Sequence, residues 1–373
     1  MLERGYADEL VQLGRAEGLD AVGVAPAAPF ARARRELERR KAAGLHGEMA
    51  FTYKNPARST DPGRSVRGAQ AIVVGARSYA MAPAPASRHH PGRVARYAWI
   101  DHYAPLRAAL GTIARRLRAD GWKALVLADD NSMVDREAAW LAGLGWYGKN
   151  ANLLLPGRGS WYVLGGVVTN APLATAERPV ADGCGRCRRC IDGCPTGAIV
   201  APGVVDARRC LAWLVQAPGI FPLEHREALA DRIYGCDDCQ EVCPPNRGVE
   251  EKPVPVSATA TVDLVELLEL DDGELLARYG RWYLADRDPD QLRRNALIAL
   301  GNSSDGADAD VERVLRAALG SARPLLRAHA VWAAARLGRT DLLDAVADDR
   351  DPRVREELAR VPVVALPMAE RQA

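Results

Sequence analysis

The apolar positions of the chain first follow helical spacing and then strand alternation, in turn. GYADELVQLGRAEG (5–18) places its apolar residues on one helix face, DAVGVA (20–25) follows as a short strand, and AQAIVVGARSY (69–79) is a stronger one. Leu106, Leu110, Ile113 and Leu117 mark one face of a further helix. The strand KALVLA (123–128) comes after it, and WYVLGGVVTN (161–170) adds another buried strand. These elements predict a mixed α/β domain over residues 1–175 within a chain of the α+β class.

Residues 176–250 lose that rhythm and are rich in cysteine. GVEEKPVPVSATATVD (248–263) predicts an extended connector, because its prolines and small polar residues cannot sustain a helix. Beyond it the pattern is helical. QLRRNALIALGN and LLRAHAVWAAARLG share an R-x-x-A pattern, with Arg293 and Ala296 matching Arg327 and Ala330 at a spacing of 34, and DPRVREELA starts like a third unit. Residues 251–373 are therefore predicted as a linker followed by short HEAT-like helical repeats. A helical lid over the core would produce the same apolar pattern.

With 373 residues, 48% hydrophobic and 26% charged, the chain can bury several cores without covalent staples. No apolar run approaches the roughly 18 residues that span a bilayer, and MLERGYADEL lacks the apolar region of a signal peptide. The expectation is a cytoplasmic protein with no membrane partner. The net charge of +2 decides nothing about nucleic acid, but residues 30–68 carry ten Lys/Arg against four Asp/Glu.

A reducing compartment turns attention to the eight cysteines, all between 184 and 243, as metal or redox ligands. CGRCRRCIDGCP has the full C-x2-C-x2-C-x3-C-P spacing of a ferredoxin. In the later run, GCDDCQEVCP, Ile233 stands where the first cysteine belongs. A tight x2-x2 loop offers three thiolates to one cluster and sends the cysteine before proline to the other. Cys184, Cys187, Cys190 and Cys243 then complete one 4Fe-4S cluster. Cys194, Cys236 and Cys239 hold the second, and Cys210 is the one cysteine left to complete it. Structural zinc also uses paired C-x2-C sites, although zinc ribbons rarely use a triple run ending in C-P.

Two other stretches have competing readings. GLGWYG (143–148) matches G-x-G-x-x-G literally, yet helix-like residues precede it and strand-like ANLLL follows, the reverse of a dinucleotide turn. Trp146 and Tyr147 read as core or loop packing, or as stacking partners for a flat ring. In NSMVDREAAW, Ser132 and Asp135 form an S-x-x-D pattern, so Asp135 is either a helix-start capping residue or a catalytic acid.

The combination of DNSMVDREAAWLAGLGWYGKNANLLL, GSWYVLGGVVTN, both cysteine runs with Cys210 between them, and RRNALIALGN resembles the epoxyqueuosine reductases, cobalamin-dependent iron-sulfur enzymes of tRNA modification. The resemblance spans nearly the whole chain. It implies reductive removal of the epoxide oxygen of epoxyqueuosine at the tRNA wobble position, the last step of queuosine biosynthesis. It also implies a cobalamin-binding reductase-like domain at 1–175, a ferredoxin-like two-cluster domain at 176–250, and Asp135 as proton donor.

Arg58, Tyr97, Asp135, Ser160 and Asn170 match segments that border cobalamin in that family. No histidine stands in the D-x-H-x-x-G signature, so a histidine ligand to cobalt is not implied. The implied partners are a tRNA anticodon stem-loop and an external low-potential electron donor, with the chain acting as a monomer. Candidate phosphate contacts are the basic 30–68 region with Arg186, Arg188, Arg189, Arg208 and Arg209. Two other functions would use the same parts: an iron-sulfur electron-transfer adaptor, and a reductive dehalogenase-like cobalamin enzyme, against which stands the lack of a Tat-type export signal.

Overall fold

The strands expected from apolar alternation pair into one sheet in a computed structural model that describes residues 2–84 and 89–361. The order is Ala21–Pro26, Ala71–Ser78, Tyr162–Thr169, Ala124–Ala128, antiparallel throughout. Both faces are covered. Val22, Val24, Val73, Val163 and Val167 pack with Leu106, Leu110 and Ile113 of helix Tyr103–Ala119. Ile72, Val74, Leu164 and Val168, one residue out of phase, pack with Ala33 of helix Ala31–Ala42 and Ala138 and Ala139 of helix Asp135–Leu141. Strands buried on both sides lose their polar alternation, which is why AIVV and GGVV read as unbroken apolar runs. Each such valine or isoleucine contributes roughly 1.5–3 kcal/mol by leaving water.

Two units make up the chain, and this sheet belongs to the first, formed by residues up to 84, 94–214 and 234–260. The cysteine runs pack within it. The second unit comprises residues 89–93, 215–233 and 261–361. In it the connector ends in the strand Thr261–Asp263, antiparallel to residues 91–93. The helices Asp290–Ser303, Ala309–Leu319, Pro324–Arg336 and Pro352–Arg360 follow. Residues 362–373 of the predicted repeat region lie outside the described residues.

The arginines spaced 34 apart have matching tasks. Arg293 donates to Asp272 at 2.6 Å and Asp290 at 3.1 Å, Arg327 donates to Asp349 at 2.6 Å, and Ala296 and Ala330 are fully buried. Residues 215–233 lie between the cysteine runs in sequence yet pack with the helices. Asn295 Nδ2 donates to the carbonyls of Val215 and Ile233, and Arg226 forms a two-bond pair with Glu357 at 2.7 and 2.9 Å. Both partners of that pair are buried. Glu357→Ala leaves a buried guanidinium unpaired and is expected to cost about 3–5 kcal/mol, read as a lower urea midpoint. A loss below about 1 kcal/mol would show that the pair does not hold helix Pro352–Arg360 in place.

Candidate active site and cluster-binding loops

Strand Ala124–Ala128 ends in a short loop that delivers Asp135 to the first turn of its helix. The expected Ser132 cap does not form. The helix starts one residue after Val134, Ser132 N donates instead to Asp130 Oδ1 at 2.7 Å, and Asp135 Oδ1 accepts the N–H of Arg136 at 2.7 Å. The loop is tied to the segment that carries Arg58: Val134 N donates to Ser59 O at 2.9 Å and Thr52 N to Asn131 Oδ1 at 3.1 Å. Burial raises the Asp135 carboxyl from its ordinary value, and the opposing pull of Arg136 and its N–H does not cancel this. Burial and then the charges of Asp135 and Asp129 push the nearby Tyr103 hydroxyl up.

A residue that sequence reasoning missed holds this helix. Glu137 is buried and takes two bonds from Arg32, at 3.1 and 2.5 Å, and the Tyr147 hydroxyl at 3.0 Å. The Arg32 guanidinium lies over Trp140 at 4.1 Å and Tyr147 at 4.8 Å. A carboxylate beside Ala138 and Ala139 on an otherwise apolar helix face was the available signal.

The remaining expected contacts separate. Arg58 is exposed on the short helix Pro56–Ser59, close to the Asp135 loop through Ser59. Tyr97 lies in the turn Arg96–Ala98, where Arg96 N donates to Asp237 Oδ2 at 2.7 Å. Burial pushes the Asp237 carboxyl up to about 6. Ser160 is buried, with its hydroxyl engaged by Gln240 and Asn246 at 3.0 Å each, so it ties the sheet to the second cysteine run. Asn170 Oδ1 accepts the N–H of Lys123 at 2.7 Å, at the start of the strand from whose end the Asp135 loop leaves. Asn170 and Asp135 therefore stand at opposite ends of the sheet.

The cysteines gather as two quartets. Cys184, Cys187, Cys190 and Cys243 line a cavity of about 260 Å³. Burial, then Cys190, Cys184 and Cys187, push the Cys243 thiol up to about 12. In the other quartet burial raises the Cys239 thiol, helped by Cys236 and Cys210, and burial raises that of Cys210, helped by Cys194. Cys194 Sγ also accepts the N–H of Ala198 at 3.2 Å. Such thiols hold protons in the metal-free chain and give them up when iron binds. Among the described residues no three His, Cys, Asp or Glu converge closely enough for one metal ion. A quartet around a wide cavity suits a four-iron cube better than a single zinc, whose sulfur ligands stand about 2.3 Å from the metal.

The second quartet borders the Asp135 region. Arg136 acts on both Cys210 and Tyr103, and Tyr79 feels both Arg136 and Cys239. Residues 45–52 run between the two: Leu45 O accepts Ala207 N at 2.8 Å, Gly47 O accepts Trp213 Nε1 at 2.7 Å, and Thr52 reaches Asn131. On this segment the buried His46 Nδ1 has no hydrogen-bond partner. A buried nitrogen so placed costs about 1–3 kcal/mol unless a bound group completes it. The location therefore fits a further cofactor between the cluster loop and the acid.

GLGWYG is a hairpin turn in which Trp146–Tyr147 pairs with Leu153–Leu154, and no helix follows. A Cβ at Gly145 would stand 2.1 Å from Leu154 O, so this glycine serves close strand approach and not phosphate binding.

Comparison with known proteins agrees with this geometry. Residues 183–246 match the family described as a 4Fe-4S double cluster binding domain. The chain is 30% identical over 370 residues to the epoxyqueuosine reductase of Bacillus anthracis, covering 94% of this chain and 95% of that one. It superposes with a TM-score of 0.87 and 28% identity on a crystal structure of epoxyqueuosine reductase with an epoxyqueuosine-modified tRNA-Tyr stem loop, covering 95% and 97% of the two chains. It also resembles, at TM-score 0.85, 28% identity and the same coverage, the Bacillus subtilis enzyme with its catalytic aspartate loop swung out of the active site.

Proposed function

The chain belongs to the epoxyqueuosine reductase family, and on that premise we propose that it reduces epoxyqueuosine in tRNA to queuosine, with Asp135 as the acid. The observation that carries this reading is Asp135 itself: a carboxyl raised by burial, in the first turn of a helix whose next residue, Arg136, comes near Cys210 of a cysteine quartet. Removing the epoxide oxygen takes two electrons and two protons and releases water. Two 4Fe-4S clusters supply one-electron carriers, and cobalamin, when bound, supplies a strongly reducing cobalt centre.

The chain's own residues do the rest. Asp135, whose carboxyl burial raises, is the group that would deliver a proton to the oxygen as negative charge builds on it. Glu137, gripped by Arg32 and Tyr147, fixes the helix that aims Asp135. In this reading Arg58, Tyr97 and His46 would hold cobalamin, whereas the engaged hydroxyl of Ser160 and the remote Asn170 suit supporting roles. Cys184, Cys187, Cys190 and Cys243 ligate one cluster, and Cys194, Cys210, Cys236 and Cys239 the other. The sheet region at 1–175 binds cobalamin, 176–250 carries the clusters, and the helices within 251–373 act as HEAT-like repeats. An external low-potential donor charges the clusters of a monomeric chain.

For the tRNA, several expected arginines are already neutralised: Arg208 by Asp206 at 2.7 Å, Arg188 by Asp192 at 3.4 Å, and Arg39 by Glu36 at 2.8 Å. Arg35, Lys54 and Arg67 are exposed and form no ion pair among the described residues, which leaves them for phosphates. Binding of an anticodon stem-loop is expected to weaken steeply with salt, with a log–log slope of about −0.7 to −0.9 per phosphate contacted. An affinity unchanged between low and physiological salt would count against phosphate-led docking. The decisive test of function is anaerobic reconstitution with iron, sulfide, cobalamin and a low-potential reductant, followed by nucleoside analysis of tRNA bearing epoxyqueuosine. Absence of queuosine with all cofactors loaded would overturn the proposal.

A further inference from the structure

Two buried tryptophans of the first unit have ordinary partners for their indole nitrogens. Trp99 Nε1 donates to Val94 O at 2.7 Å and Trp213 Nε1 to Gly47 O at 2.7 Å. Trp146, 8% exposed, has no acceptor for its Nε1–H. Trp146 shares one buried cluster with Leu154 and Cys243, against which Val180 and Cys184 pack, so two members of its surroundings are thiols of the first quartet. The close fit is enforced from the other side: a Cβ at Gly183, the residue before Cys184, would stand 2.7 Å from the six-membered ring. Burying an N–H without a partner costs about 1–3 kcal/mol.

The same turn supplies a second contact to this quartet. Lys149 Nζ donates to the carbonyls of Gly185 at 2.7 Å and Cys187 at 2.8 Å, which places a positive charge on the C-x2-C loop. Trp146 and Lys149 both come from GWYGKN, the stretch that resembled a nucleotide motif and that the cysteine spacing left without a task.

We infer that the GWYGKN turn sets the reduction potential of the Cys184–Cys187–Cys190–Cys243 cluster, with the Trp146 indole N–H hydrogen-bonded to a sulfur of that cluster or its thiolates and Lys149 adding positive charge. The inference rests on the reading of this quartet as the ligands of a 4Fe-4S cluster. A reduced cluster carries more negative charge than an oxidised one. A hydrogen-bond donor or a cation beside its sulfurs therefore favours reduction and raises the potential.

The test is an anaerobic redox titration of the reconstituted full chain, followed by electron paramagnetic resonance. Trp146→Phe is expected to keep full iron and sulfide, shift the potential of one cluster to a more negative value, and leave the other unchanged. Lys149→Gln is expected to shift the same cluster in the same direction. Wild-type protein with its tryptophans labelled by indole ¹⁵N provides a readout that needs no variant: hyperfine coupling of one ¹⁵N to the shifted cluster supports the hydrogen bond. Unshifted potentials in Trp146→Phe, or two assembled clusters without ¹⁵N coupling, overturn the inference alone. Wild-type protein that binds zinc at this quartet, or assembles one cluster only, overturns the cluster reading on which it rests.

Discussion

Asp135→Asn is expected to lower the rate of epoxide reduction by about 10²- to 10⁴-fold, the usual contribution of a positioned general acid, while both clusters and bound cobalamin keep their spectra. The substitution preserves shape and can still accept the Arg136 N–H, so the helix start should survive. It removes the one proton this carboxyl can deliver. The pH dependence has a definite sign. Burial raises the Asp135 carboxyl, so its protonated form is present below that raised value and is lost as pH rises through it. Wild-type single-turnover rates should fall on the alkaline side of that titration, and the residual activity of Asp135→Asn should lack this limb. Full activity in the variant would remove Asp135 from the chemistry, and a loss of cobalamin with the activity would reassign it to binding.

Cys210→Ala is expected to lose about half of the iron and sulfide, because a cube held by three thiolates is readily lost while the other quartet is intact. Cys210 is the ligand supplied from outside the two runs, and burial with Cys194 beside it already raises its thiol. Turnover should fall to background, since the quartet it completes borders the Asp135 loop. The first quartet should keep its signal. A variant that retains two unperturbed clusters would show that the partition of the eight cysteines is wrong.

Short apolar runs located each strand of the main sheet, and both faces of that sheet being buried explains why the runs were so clear. The cysteine spacing alone led to the proposed partition into quartets. Other features were not legible. The S-x-x-D pattern suggested a cap at Ser132, but a helix start depends on backbone geometry several residues long, and here the Ser59 carbonyl fixes Val134 as the residue before the first turn. Glu137 and Ser160 look ordinary in sequence because their partners, Arg32 and Gln240, lie 105 and 80 residues away.

The sequence by itself laid out the candidate chemistry: seven thiols in two ferredoxin-like runs with Cys210 between them, two acids in VDREAAW, and local periodicities strong enough to define helices and strands. These depend on residue type and short-range spacing, which a linear text preserves. Only the tertiary structure decided that Arg136, next to Asp135, comes near Cys210, that Asn170 stands at the far end of the sheet, and that Trp146 and Lys149 sit on the other quartet. Only it assigned residues 215–233 to the helical unit, through Asn295 and Arg226. Burial of charges and the direction of a lone N–H arise when distant segments exclude water together, and no short window of sequence encodes that exclusion.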